Sequence, residues 1–155
     1  MTGATGFIGR HLVFQLLARS DLRLTLVVRA RSLPEASERI EACLAEVADE
    51  LGASQAGRLR DSLSVVVGDV REPLCGLAPG LINDLAIDEL WHLAASLSFA
   101  ESSAAETHEH NVDGTRHALE LAAAARAKRF VHVSTAYVCG SAIGQIREDL
   151  QPLAG

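Results

Sequence analysis

With 155 residues, 48% of them hydrophobic and 22% charged, the chain has the size and composition of a single globular domain able to bury a core. A net charge of −6, with a single lysine, Lys128, argues against nucleic acid as a partner, because its backbone demands a clustered basic surface. No apolar run approaches the roughly 18 residues of a membrane span, and the opening Met-Thr-Gly-Ala-Thr-Gly has neither the basic nor the long apolar region of a signal peptide. Short β-branched runs alternate with longer helical stretches. A helix is expected from Gly9 to Ser20, then a strand over Leu24 to Val28 (LTLVV), a long helix over Ser37 to Arg60 and a strand over Leu63 to Val67 (LSVVV). A third strand follows at Glu89 to Leu93 (ELWHL), an alanine-rich helix at His108 to Ala127, and a fourth strand at Phe130 to Val133 (FVHV). Near-continuous apolar strands alternating with helices indicate a parallel sheet covered on both faces, so the fold class is α/β, a doubly wound, Rossmann-like sheet.

The segment Thr2-Gly3-Ala4-Thr5-Gly6-Phe7-Ile8-Gly9 has glycines at intervals of three and opens directly into the first helix. Glycine permits a tight turn and close backbone approach, while a helix N-terminus offers free N–H groups and the positive end of its dipole. Thr5, Phe7 and Ile8 join Gly3, Gly6 and Gly9 in this candidate diphosphate cradle. The spacing is G-x-x-G-x-x-G rather than the general G-x-G-x-x-G. At the end of the LTLVV strand, where an acid would bind a free ribose 2′-hydroxyl, stand Arg29 and Arg31. Arginine there suits a 2′-phosphate, which points to NADP as cofactor.

Taken together, TGATGFIG at 2–9, LVVRAR at 26–31, GDV at 68–70, HLAASLSF at 92–99, NVDGT at 111–115, HVSTAYVCG at 132–140 and IREDL at 146–150 resemble the extended short-chain dehydrogenase/reductases. Within them the chain is most similar to the thioester reductase and fatty acyl reductase (male-sterility type) branch. The resemblance implies that Asp69 and Val70 flank the adenine, that Ala94 and Ala95 line the nicotinamide-side ribose, and that Asn111 braces the sheet beside the site. It also implies that Thr135 is the catalytic hydroxyl that hydrogen-bonds the substrate carbonyl. The implied reaction is NADPH-dependent reduction of an acyl thioester or its derived aldehyde, on a small-molecule or carrier-bound acyl substrate. An acyl carrier domain is then expected in the parent protein. Two other readings stay open: a sugar-nucleotide epimerase, dehydratase or hydroxysteroid-type dehydrogenase, and a non-catalytic dinucleotide-binding sensor.

The family's Tyr, with a Lys four residues later, is missing from the chain, because Tyr137 is followed four residues on by Ser141 and Lys128 precedes it. Residues 1–155 are therefore expected to be a dinucleotide-binding domain incomplete at both ends and inactive alone. Only Met1 precedes the glycine loop, so the first strand is also expected to be lacking, leaving open edges on the two strands that should flank it. No metal is expected: His108 and His110 are two apart and diverge on a helix, whereas His92 and His132 read as structural. Cys43, Cys75 and Cys139 read as reduced, half-buried small residues, consistent with a cytoplasmic setting.

Overall fold

The computed structural model describes residues 1–17, 22–50, 62–98, 100–135, 139–140 and 143–147. The expected strands appear almost residue for residue: β1 at Leu24–Val28, β2 at Leu63–Val67, β3 at Glu89–His92 and β4 at Arg129–His132. β1 pairs with β2, and β3 with β4, both in parallel. Between the two pairs lies Thr2, bridged in parallel to Val27 on one side and His92 on the other. The sheet order is therefore β2-β1-Thr2-β3-β4, the order expected for this topology.

The place of the expected missing strand is thus held by two residues. Thr2 N–H donates to the Trp91 carbonyl at 2.9 Å, and Leu93 N–H donates to Thr2 at 3.3 Å. Val27 N–H donates to the Met1 carbonyl at 2.9 Å, and the Met1 ammonium donates to the Thr25 carbonyl at 2.6 Å. The edges expected to be open are joined at this point. Burial lowers the Met1 amine from 8.0 to about 6.

Helix α1 spans Phe7–Leu17 and α2 spans Leu33–Glu50. The tail of the first expected helix (residues 18–20) and of the second (from residue 51) lies outside the described residues. α2 starts four residues before the expected Ser37. Ser32 Oγ accepts the Glu35 N–H at 3.4 Å, and Glu35 Oε2 reaches back to the Arg31 N–H at 3.0 Å. With Pro34 in the first turn, this reciprocal cap sets the start. Together α1 and α2 cover one face of the sheet: Val13, Leu17, Ala36 and Ile40 are buried against Leu26 and Val28.

The other face is covered by α3 (Pro79–Asp84) and by a long helical run that begins with α4 (Ala104–His108) and ends with α5 (Gly114–Ala124). Ile82, Ala118, Leu121 and Ala122 are buried against Leu90, with Val27 and Val66 packed on the cluster. Helices on both faces make the domain doubly wound, as the sequence predicts. Between α4 and α5, Glu109–Asp113 form a π-helical turn, with Gly114 N–H bonding back five residues to the Glu109 carbonyl. Such single-turn bulges gather at functional sites.

Candidate functional site

The glycine loop occupies the switch point of the sheet, at the carboxyl ends of β1 and β3. Gly3 adopts φ +75°, and a Cβ there would stand 2.5 Å from the Ala94 nitrogen. At Gly9 a Cβ would lie 2.0 Å from the Gly3 carbonyl oxygen, so α1 is seated on the loop only because that side chain is absent. Gly6 differs: its Cβ would meet nothing closer than the Gly3 carbonyl, at 3.4 Å. The loop closes through Gly6 N–H on the Gly3 carbonyl at 3.1 Å, and α1 takes its first bond from Arg10 N–H to Gly6 at 2.9 Å.

Above this loop opens a cavity of about 340 Å³, within the size range of small-molecule sites. It is lined by Gly3, Thr5, Gly6, Arg29, Asp69, Val70, Ala94 and Ala95, eight of the residues that the sequence singles out. Phe7 and Ile8 are exposed on the first turn of α1 and do not line the cavity. Gly9 acts from beneath, as a packing position. Arg31 does not line the cavity; its N–H is held by Glu35 in the α2 cap. Thr135 lies exposed beyond β4 and Asn111 behind the cavity wall, neither of them lining it. Tyr137 and Ser141 lie outside the described residues.

Asn111 hydrogen-bonds the backbone of Ser96, a residue of the wall. Its Oδ1 accepts the Ser96 N–H at 2.7 Å and its Nδ2 donates to the Ser96 carbonyl at 3.0 Å, so the side chain pairs with that backbone as a neighbouring strand would. Two further groups on the same helical run hold the other walls. His117 is buried, and its Nδ1–H donates to the Val70 carbonyl at 2.9 Å. The Thr115 hydroxyl donates to the Asn111 carbonyl at 2.7 Å and so accepts from His92 Nε2 at 3.3 Å. His92 Nδ1 is then the acceptor for the Thr2 hydroxyl at 2.7 Å. Both ring nitrogens are thereby satisfied in the neutral form. Burial, with His132 and the Met1 ammonium adding in that order, lowers His92 from 6.5 to about 4. His92 is the structural histidine expected, but His132 is exposed and stacks on it at 5.4 Å between centroids.

Asp69 is engaged by a neighbour. Arg71 donates from its backbone N–H and from Nε and Nη2, the last at 2.6 Å. These bonds hold the Asp69 carboxyl below its usual range, despite partial burial. Opposite it, Arg29 gains company that the sequence did not suggest. Arg39, on the second turn of α2, lines the cavity and donates from Nη1 to the Arg29 carbonyl. Glu106 and His110, from α4 and the π-helical turn, complete that end. Arg39 becomes visible as a site residue only once the α2 start is moved back to Leu33, and His110 only once the π turn is known. Cys43 reaches the loop from below, its thiol 3.9 Å from the Thr5 carbonyl, and burial raises its pKa. Burial pushes Cys75, which is fully buried, up to about 11. Both thiols are packing groups rather than nucleophiles. Among the described residues no cluster of His, Cys, Asp and Glu could hold a metal ion, and no helix is long and apolar enough to cross a membrane.

The model of the male sterility protein family, an NAD-binding domain family, matches residues 1–154. The chain belongs to this family. Among its relatives, an isonitrile lipopeptide synthase of Mycobacterium tuberculosis is 37% identical over 92% of the chain, which spans 6% of that protein. A carboxylic acid reductase of Mycobacterium marinum is 33% identical over 87% of the chain, matching 12% of its own length. Among solved structures, the terminal R domain from the myxalamid PKS-NRPS biosynthetic pathway superposes with a TM-score of 0.81 at 34% identity. That superposition covers 99% of the chain and 38% of the R domain. The chain thus spans a small part of these two relatives and little more than a third of the solved R domain.

Proposed function

We propose that residues 1–155 form the cofactor-binding part of an NADPH-dependent reductase of acyl thioesters or the aldehydes derived from them. The cavity that joins the glycine loop to Arg29 and Arg39 carries this reading. The residues present fit a dinucleotide. Gly3, Thr5 and Gly6 line the cavity floor, the first turn of α1 offers N–H groups with no acceptor within the helix, and two guanidinium-bearing residues line the end next to β1. In this reading the loop and α1 hold the diphosphate, Asp69 and Val70 flank the adenine, Arg29 and Arg39 take the 2′-phosphate, and Ala94 and Ala95 flank the second ribose. Arg31 stands outside that set as an α2 cap residue. When bound, the nicotinamide ring supplies the hydride. The chain's own part is to orient the cofactor and, through Thr135, to donate a hydrogen bond to the substrate carbonyl.

The relatives' names support the substrate class: one is a carboxylic acid reductase, and another is the terminal R domain of a PKS-NRPS pathway. In a parent protein built like these, an acyl group delivered on a carrier domain in the cytoplasm is the natural substrate. Fluorescence titration with NADPH and NADH tests the cofactor assignment. One good charge-assisted phosphate contact gives NADPH an advantage on the order of 10–100-fold. Equal affinities refute the 2′-phosphate site. Reduction of an acyl thioester by the parent protein, followed as NADPH oxidation, tests the reaction.

A further inference from the structure

We propose that His110 is a positioning residue for Arg29, fixing the guanidinium where it discriminates a 2′-phosphorylated adenosine from an unphosphorylated one. The inference rests on the 2′-phosphate reading above and adds to it a residue that lies 81 positions away from Arg29 in the chain. His110 sits in the π-helical turn and lines the cavity together with Arg29. Its Nδ1 lies 3.0 Å from the Glu106 carbonyl, one turn back, and a carbonyl only accepts, so Nδ1 carries the proton. Nε2 is therefore left as an acceptor. Arg29 Nη1 lies 3.3 Å from it, and a guanidinium only donates, so the bond runs from Arg29 to His110.

Arg29 is consequently held at both ends of its reach. Arg39 grips its backbone carbonyl, and His110 takes one of its terminal nitrogens. An exposed arginine otherwise loses considerable side-chain freedom when it closes on a ligand. Fixing it beforehand lowers that cost, and leaves the remaining N–H groups of the planar fork for an incoming phosphate. The neighbouring Asn111 reaches the Ser96 backbone. Adjacent positions in this turn therefore serve two different walls. The guanidinium setting is in this way tied to the wall at Ser96.

The test is calorimetric titration of the protein with adenosine 2′,5′-bisphosphate and with adenosine 5′-monophosphate, for wild type, His110→Ala, His110→Gln, Arg29→Ala and the double variant. Wild type favours the bisphosphate; His110→Ala reduces that preference roughly 3–10-fold, the scale of immobilising one long side chain. Affinity for the monophosphate stays within about twofold. His110→Gln, which keeps an acceptor, restores most of the preference. In the Arg29→Ala background the His110→Ala change has no further effect, because the histidine acts through the arginine. A wild-type preference that His110→Ala leaves intact refutes the positioning role alone. So does a His110 effect that persists undiminished without Arg29. A wild type that binds both nucleotides equally refutes the 2′-phosphate reading itself, and the positioning role with it.

Discussion

Acidification should weaken the fold through His92, and the size of the effect follows from its surroundings. The ring is fully buried, accepts from Thr2 at Nδ1, donates to Thr115 at Nε2 and lies against His132. All of these arrangements favour the neutral form. In the unfolded chain the ring protonates near 6.5, whereas in the fold it does so only at about 4. The native state therefore binds fewer protons than the unfolded chain across that interval. Stability is fully present above pH 6.5, falls as pH drops through the interval, and has lost the whole contribution below about 4. At about 1.4 kcal/mol per pH unit the loss is about 3 kcal/mol, a large part of a typical total of roughly 5–15 kcal/mol. The Met1 amine adds a loss of the same sign between pH 8 and about 6. A one-residue extension that turns this amine into an amide separates the two. Urea unfolding of the extended chain at half-unit steps from pH 7.5 to 4 measures the slope, with His92→Gln as the variant that cannot titrate. An unchanged slope in that variant refutes the reasoning. So does a His92 ring resonance that titrates near 6.5 in the folded protein, a result that does not depend on the variant's stability.

Gly9→Ala should destabilise by about 1–3 kcal/mol in thermal or urea unfolding, because the new methyl meets the Gly3 carbonyl. Gly80→Ala, with nothing within 4 Å of the added Cβ, should be neutral or stabilising by up to about 1 kcal/mol. Asn111→Ala removes both bonds to Ser96 and should raise the NADPH dissociation constant roughly tenfold, measured by fluorescence titration. In the parent enzyme, Thr135→Ala should lower kcat roughly 100-fold and leave cofactor affinity unchanged, and an undiminished kcat would mean that another hydroxyl polarises the carbonyl.

Much of this architecture can be read from local patterns. LTLVV and LSVVV are short, largely apolar runs rich in β-branched residues, and each forms a strand with the expected limits. The glycine loop is legible because two of its three glycines, Gly3 and Gly9, are forced by backbone contacts. What escaped was set by partners distant in sequence or by hydrogen bonds finer than periodicity. The start of α2 depends on Ser32 and Glu35 capping in the presence of Pro34, where a preceding proline argues locally against helix. The π turn leaves no mark on an alanine-rich helical stretch, yet it sets where Asn111 and His110 stand. Arg31 and Arg29 look equivalent in VRAR, but the α2 cap takes the backbone of one, and only the other lines the cavity. His117 is not singled out by the sequence at all, because its partner, the Val70 carbonyl, stands 47 positions away in the chain.

The single-residue bridge at Thr2 makes cohesion and ligand affinity two readings of one quantity. Among the described residues, β1 and β2 on one side, and β3 and β4 on the other, are joined across the sheet by a few backbone bonds around Met1 and Thr2. Each is worth about 1 kcal/mol net. The cavity straddles that joint, with Val27, Val28 and Arg29 on one flank and Leu93 to Ser96 on the other. A molecule that grips both flanks works as a rivet. At a hundred times its dissociation constant it contributes about 2.7 kcal/mol, as much as most of the bridge itself. Under mechanical load applied across the strands, the two halves should part first at this line, and the force needed should rise with nucleotide concentration.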